Sequence, residues 1–152
     1  MGNIKYYSKI KDNKKILEEL YNKTKIIEKD YPSHYEWFHN KFIKELDGIR
    51  REIIYYEIEN TIVGVVFLKK SLEEKKICTI IIDEKYRKLG IGTKILEESF
   101  KFLETNKPLI TMPDYKEKCF KSIIEKYGWK KTQIINECYS KNNELVFNER
   151  LV

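Results

Sequence analysis

The sequence predicts an α/β protein: a mixed, mostly antiparallel central sheet of about seven strands with helices on both faces. Three observations carry this. Two short apolar runs, Glu52 to Ile58 and Ile62 to Leu68, flank a Glu59-Asn60 turn and read as neighbouring strands. A nearly continuous apolar run, Ile77 to Ile82, reads as a central strand buried on both faces. That run leads into a glycine turn, Gly90-Ile91-Gly92, and then into an amphipathic helix.

The remaining elements follow in order. Asn3 to Ser8 alternates and predicts a first strand. Asp12 is positioned to cap a helix running to about Glu28, with Ile16, Leu17, Leu20, Thr24 and Ile27 on one face. Ser33 and Glu36 have capping-box spacing, so a second helix is expected there. It carries Phe38, Phe42 and Leu46 inward and stops near Asp47-Gly48. Ser71 to Lys75 is a charged turn. The helix after the glycines runs from about Gly92 to Glu104, with Ile95, Leu96, Ser99 and Leu103 toward the sheet. Leu109 to Met112 is a short strand. A fourth helix spans about Asp114 to Tyr127, with Phe120, Ile123, Ile124 and Tyr127 inward and Gly128 as its stop. Lys131 to Ser140 and Glu144 to Phe147 read as a closing hairpin around Asn142-Asn143.

Residues 1–152 are enough for one domain with a hydrophobic core, and no repeat or linker divides them. There is no 18-residue apolar run, so no membrane span is expected. The polar, alternating start is unlike a secretory signal. Cys78, Cys119 and Cys138 are isolated, and no Cys/His spacing points to zinc or any other metal. A cytoplasmic protein with reduced thiols is the simple expectation. The net charge of +6 raises the question of nucleic acid. Its lysines are interspersed with glutamates, as in Lys14-Lys15 and Glu18-Glu19, which favours a solvated mixed surface over a nucleic-acid face. Such a protein also attracts small anions.

The strongest functional signal is Tyr86-Arg87-Lys88-Leu89-Gly90-Ile91-Gly92-Thr93 between the apolar strand and its helix. Glycine allows a tight turn and a close ligand approach. The first amides of a helix lack internal acceptors and face the positive end of the dipole. Arg87 and Lys88 add two cations. Phosphate or pyrophosphate is the expected guest. The spacing is neither G-x-G-x-x-G nor a P-loop.

What remains, R-x-x-G-x-G at Arg87, Gly90 and Gly92, resembles the acetyl-CoA signature of the GCN5-related N-acetyltransferases, the GNAT family. Gly128-Trp129 sits where that family usually has Gly-Phe, and the order of elements after the loop agrees. The resemblance implies a single acyl-CoA-binding domain that moves an acetyl group from acetyl-CoA to an amine, of a small molecule or a peptide, by direct attack in a ternary complex. It assigns the phosphates to the Arg87, Lys88, Leu89, Gly90, Ile91, Gly92 and Thr93 segment. The pantetheine arm falls to Ile80 and Ile82, whose strand must then splay from the one at Leu109 to Met112. An amide donor at the thioester oxygen is worth ~3 kcal/mol by analogy with other oxyanion holes.

The catalytic half departs from the family pattern. The usual tyrosine, four residues before the Gly-aromatic pair, is Ile124 here, and the usual asparagine is Glu117. Tyr127, one turn away, and Tyr115, at the helix start, are the candidate substitutes, with Glu117 available to hold a water or a substrate cation. His34 and His39 are the only histidines, and with Trp37 they lie in an aromatic stretch that in this fold borders the acceptor cleft. His34 and Trp37 are the candidate acceptor contacts. Loss of the tyrosine keeps a non-catalytic acyl-CoA-binding domain in play as the alternative, ahead of a basic nucleic-acid module. Acetylation of charged tRNA, and a monomer or a homodimer, stay open.

Overall fold

The strands are β1 (Asn3–Tyr6), β2 (Arg51–Ile58), β3 (Thr61–Lys70), β4 (Lys75–Ile82), β5 (Leu109–Pro113), β6 (Lys131–Ile135) and β7 (Glu144–Phe147). In the computed structural model, which describes residues 2–11, 13–137 and 141–151, they form one sheet in the order β1-β2-β3-β4-β5-β7-β6. Neighbouring strands pair antiparallel except β4 and β5, which run parallel. Glu59 and Asn60 both take positive φ, 48° and 64°, the twist that a tight hairpin between β2 and β3 requires.

Strand alternation sorts the core into two layers. Ile54, Tyr56, Val66 and Leu68 face one side, where α3 (Ile91–Leu103) and α4 (Lys121–Tyr127) pack. Ile53, Tyr55, Val65 and Phe67 face the other, under α1 (Lys14–Thr24) and α2 (His34–Trp37). The first layer runs across the sheet from Ile54 through Ile77 and Ile110 to Leu145 and Phe147. The second draws its buried strand residues from β2 and β3. Helix α3 buries Ile91, Ile95, Leu96, Ser99 and Leu103, matching its sequence pattern. It seats closely because β3 carries Gly64, where a Cβ would come within 2.8 Å of both Ile82 Cδ1 and Ile95 Cδ1.

Several local expectations are corrected. Asp12 lies outside the described residues, and α1 is capped by Asn13, whose side chain accepts from the Lys15 and Ile16 amides. The α-helix ends at Thr24 and continues as a tighter 3-10 segment, Lys25–Lys29. Tyr21, absent from the predicted face, is buried, whereas Ile16 is half-exposed. Ser33 makes no capping bond with its side chain: its φ and ψ of −91° and 11° are not the extended conformation a cap adopts. Helix α2 lasts one turn and passes into a π-helical turn, Phe38–Phe42, which still buries both phenylalanines. Asp114–Phe120 is a 3-10 segment, so α4 starts only at Lys121. Strand β6 ends at Ile135, and Cys138 to Ser140, expected to extend it, fall outside the described residues. Strand β4 is central but is not buried on both faces throughout; Ile80, Ile81 and Ile82 are half-exposed.

Candidate functional site

The exposure of β4 has a local cause. Phe67 faces Thr79 while Leu68 faces Ile77, so Cys78 is an extra residue, a bulge that bends the strand. Pairing with β5 stops at the same point, since the parallel register covers only Lys76–Leu109 and Ile77–Ile110. Past Ile77 the two strands part. The Asp83 amide donates to Val63 O at 2.9 Å, which fixes the ladder phase at this end. By alternation, Ile81 and Thr79 exchange bonds with β3, and the Ile80 and Ile82 peptide groups turn to the open edge. Arg87 Nε donates to Ile82 O at 3.1 Å and ties the following loop to this edge.

That loop leads into α3 through two left-handed residues, Lys88 at φ 65° and Gly90 at φ 82°. Gly90 is the N-cap and offers no side-chain acceptor; the first intrahelical bond runs from Lys94 N to Gly90 O. The Ile91, Gly92 and Thr93 amides therefore lack helical acceptors and sit at the positive end of the dipole. A Cβ on Gly92 would meet only Ile82 Cγ1, at 3.7 Å, so the position is open on its outer side. Extended edge, anchoring arginine and uncapped helix start are consecutive in the chain. They fit a long ligand with an amide-bearing arm at one end and phosphates at the other.

The cleft where β4 and β5 part is lined by Ile80, Thr79, Thr111, Met112, Lys116 and Phe120, among others. It shares Ile27, Tyr31, Cys78, Thr79 and Thr111 with the lining of a cavity of about 640 Å³ under α2. His34 and Trp37, named from the sequence, both line this cavity. His34 is buried, and burial lowers its pKa to about 4, so the imidazole is neutral. Thr24 Oγ1 spends its hydrogen on Tyr21 O at 2.8 Å, so the 2.9 Å contact with His34 Nε2 makes that nitrogen the donor. His39 lies outside the cavity lining, on Glu18.

The three candidate proton carriers are spread apart. Tyr115, beside the cleft residue Lys116, donates to the buried Asp30 carboxylate; burial first and then that bond push its pKa up to about 12. Glu117 is ion-paired with Lys131 at 2.9 Å. Tyr127 packs edge-on against Phe100, 4.9 Å between centroids, and is not among the cleft-lining residues. Sequence reasoning missed a further group. Tyr31, which lines both the cleft and the cavity, donates to Glu144 Oε2 at 2.7 Å. Glu144 is buried, and burial raises its pKa. Lys116 is shifted down, also chiefly by burial. The half-buried Cys78 thiol is shifted up by desolvation, the wrong direction for a nucleophile.

A parted sheet whose open edge runs into an uncapped helix start is a geometry suited to an extended, phosphate-bearing ligand beside a side cavity. The chain belongs to the acetyltransferase (GNAT) family, which it matches over residues 14–111. No curated protein matches it. Solved structures share the fold at low identity. The ribosomal-protein-S18-alanine N-acetyltransferase of Escherichia coli superposes with a TM-score of 0.67 at 15% identity, over 97% of this chain and 92% of that one. Arabidopsis thaliana Naa50, bound to the bisubstrate analogue CoA-Ac-MVNAL, gives 0.67 at 17%, over 97% and 99%. A Bacillus subtilis acetyltransferase in complex with CoA gives 0.65 at 15%, over 99% and 100%. Among the described residues no helix is long and apolar enough to cross a membrane.

Proposed function

We propose that the protein is an acetyl-CoA-dependent N-acetyltransferase that acetylates an amine by direct attack in a ternary complex. One observation carries this: the bulge at Cys78 and the end of pairing at Ile77 turn the Ile80 peptide group and the Ile82 amide to the open edge of the strand that leads, through the Arg87 loop, into α3. The Ile91, Gly92 and Thr93 amides, with Arg87 and Lys88 alongside and Leu89 and Gly90 shaping the turn, hold the pyrophosphate. The Ile80 and Ile82 edge pairs with the pantetheine arm and aims an amide at the thioester oxygen. The bound thioester supplies the activated acetyl group.

In the transfer, the amine nitrogen bonds to the acetyl carbon as the carbon–sulfur bond breaks. One proton leaves the nitrogen and one reaches the sulfur. Glu144, acting through the Tyr31 hydroxyl at the cleft, is the acceptor of the first; its raised pKa brings it nearer neutrality than an ordinary carboxylate. Of the sequence candidates, Tyr115 stands next to the cleft and is protonated at any working pH, which suits a donor to the leaving sulfur once its hydrogen turns from Asp30. Glu117 and Tyr127 are held by Lys131 and Phe100, and support α4 and its approach. A cytoplasmic protein without a resident metal fits this chemistry.

The test is a titration with acetyl-CoA followed by measurement of CoA release with a panel of amines. Saturable binding and amine-dependent CoA release are expected. Binding without release for any amine points to the non-catalytic alternative; no binding removes the assignment. Some surface lysines pair with carboxylates, as in Lys5–Glu57, Lys23–Asp83 and Lys70–Glu104, the mixed-charge pattern of a solvated surface more than of a nucleic-acid face.

A further inference from the structure

The cavity beneath α2 carries a charge pattern that acetyl-CoA binding does not use. Four cations, Lys41, Arg51, Lys69 and Lys76, line it against one carboxylate, Glu74. Lys69 is neutralised by Glu74 at 2.9 Å. Lys41 and Lys76 form no ion pair among the described residues. Arg51 is only 2% exposed, yet its Nε partner, Glu45 at 3.0 Å, is itself 40% exposed, and its Nη1 has Cys78 Sγ at 4.0 Å. The guanidinium lies 5.2 Å from the Phe42 centroid and 6.0 Å from the Trp37 centroid. No buried side-chain polar atom lacks a hydrogen-bond partner among the described residues, so what the cavity leaves uncompensated is the excess of cations over Glu74, with Lys41 and Lys76 unpaired.

These cations are not a second phosphate site for the cosubstrate. Lys76 stands near the start of β4 and is paired with Leu109, whereas the Arg87 to Thr93 segment follows the end of the same strand. Four residues of strand separate Lys76 from Ile80, about 13 Å at the usual rise. The bulge at Cys78 lies between them. At the Ile80 end the cavity meets Tyr31, with the buried carboxylates Glu144 and Asp30 behind it. Neither carboxylate is among the residues lining the cavity or the cleft, and Lys116 lines the cleft, so the lining as a whole is cationic, with the stacked rings of His34 and Trp37, 5.6 Å apart, in its wall. A simple cationic amine or a polyamine would put positive charge against these cations. An amine that also carries an anionic group meets them.

From this arrangement we propose that the acetyl acceptor is a small amine that also carries an anionic group, a carboxylate or phosphate, several bonds from its nitrogen. The anion sits on Arg51, Lys41 and Lys76, and the nitrogen points to the Tyr31 end. This deepens the acetyltransferase assignment and rests on it for the position of the nitrogen.

The experiment uses a matched pair, 4-(aminomethyl)benzoate and its neutral carboxamide, read both by equilibrium binding to the protein with acetyl-CoA and by CoA release. The acid is expected to bind, and to show kcat/KM, about tenfold or more above the amide, from one charged hydrogen-bonded contact. Lys41→Gln, at an exposed position, and Arg51→Gln should each erase most of that preference, by lowering the acid's binding and kcat/KM far more than the amide's. Arg51→Gln risks misfolding, so Lys41→Gln and the wild-type preference decide the case without it. Equal binding of acid and amide, no binding of either, or a preference that survives Lys41→Gln overturns the proposal. CoA release without acid preference would sink this inference alone. Acid-selective binding without CoA release would sink the catalytic assignment and keep the anionic pocket.

Discussion

The two ends of β4 recognise by different means. Past Ile82, the site is made of backbone: open-edge peptides, an arginine on a carbonyl, and helix amides without acceptors. Before Thr79, the cavity is made of side chains contributed by β2, β3, α2 and the π-helical turn. Backbone recognition is encoded by a short local pattern, because glycines and a strand-to-helix junction suffice to create it. Side-chain recognition depends on residues brought together from distant segments, so it varies without disturbing the fold. On the proposed function, the first region would carry the part of the ligand that is the same for every substrate, and the second the part that differs.

That contrast is open to attack, most forcefully at Gly92. The helix has room for a side chain there, since the added Cβ makes only an ordinary contact with Ile82. Gly92→Glu should therefore leave the melting temperature nearly unchanged while weakening acetyl-CoA binding by about 100-fold or more, because a carboxylate replaces the space for phosphate. Intact affinity in a titration calorimeter would show that the backbone end is not the phosphate site.

Next in size is the acid response of the other region. Burial holds the His34 pKa to about 4 against an ordinary value of 6.5. Between those values the unfolded chain binds the extra proton, so stability present above pH 6.5 is lost as pH falls toward 4, by roughly 3 kcal/mol. His34→Gln, which keeps a donor for Thr24 Oγ1, should flatten that loss in urea unfolding series at pH 4.5 and 7.5. An unchanged slope would mean the ring is not desolvated.

Glu144 separates activity from stability. Its folded pKa is raised by burial and by Asp30, and drawn back by its bonds from Tyr31 and Thr111 and by Lys76. The folded state thus binds this proton more tightly than the unfolded one, and stability falls as pH rises through the raised value. Glu144→Gln should hold or raise the melting temperature at pH 8 while lowering kcat by about 10- to 100-fold, and should remove the acid limb of the rate profile. Full activity in this variant would leave solvent as the proton acceptor. The smallest expected effect tests local folding: Asn13→Ala should cost about 1 kcal/mol and Ser33→Ala less than about 0.5, since only Asn13 makes a capping bond. Equal losses would contradict the cap geometry.

These effects divide along the same line as legibility in the sequence. The α3 face, the hairpin at Glu59-Asn60 and the loop from Arg87 were readable because each is set by residues a few positions apart. The need for β4 and β5 to part was foreseen from the resemblance, but its cause was hidden, since a bulge at Cys78 depends on register with β3. Ser33 had the right letters and the wrong dihedral angles. The Tyr31–Glu144 contact joins residues 113 apart, and nothing in either neighbourhood announces it. The aromatic stretch did point to the cavity, yet its cations come from Arg51, Lys69 and Lys76 on three other strand segments.

The sheet is bound like a book along one cover. Its continuous apolar layer, the spine, runs from Ile54 through Ile77 and Ile110 to Phe147 on the α3 side, and Ile77, Ile110 and Met112 of that layer also line the cleft where β4 and β5 part. The width of that opening is set by the spine. On the proposed function, trimming Ile110 or Ile77 would change how broad a ligand the cleft admits without altering Lys41, Arg51 or Tyr31.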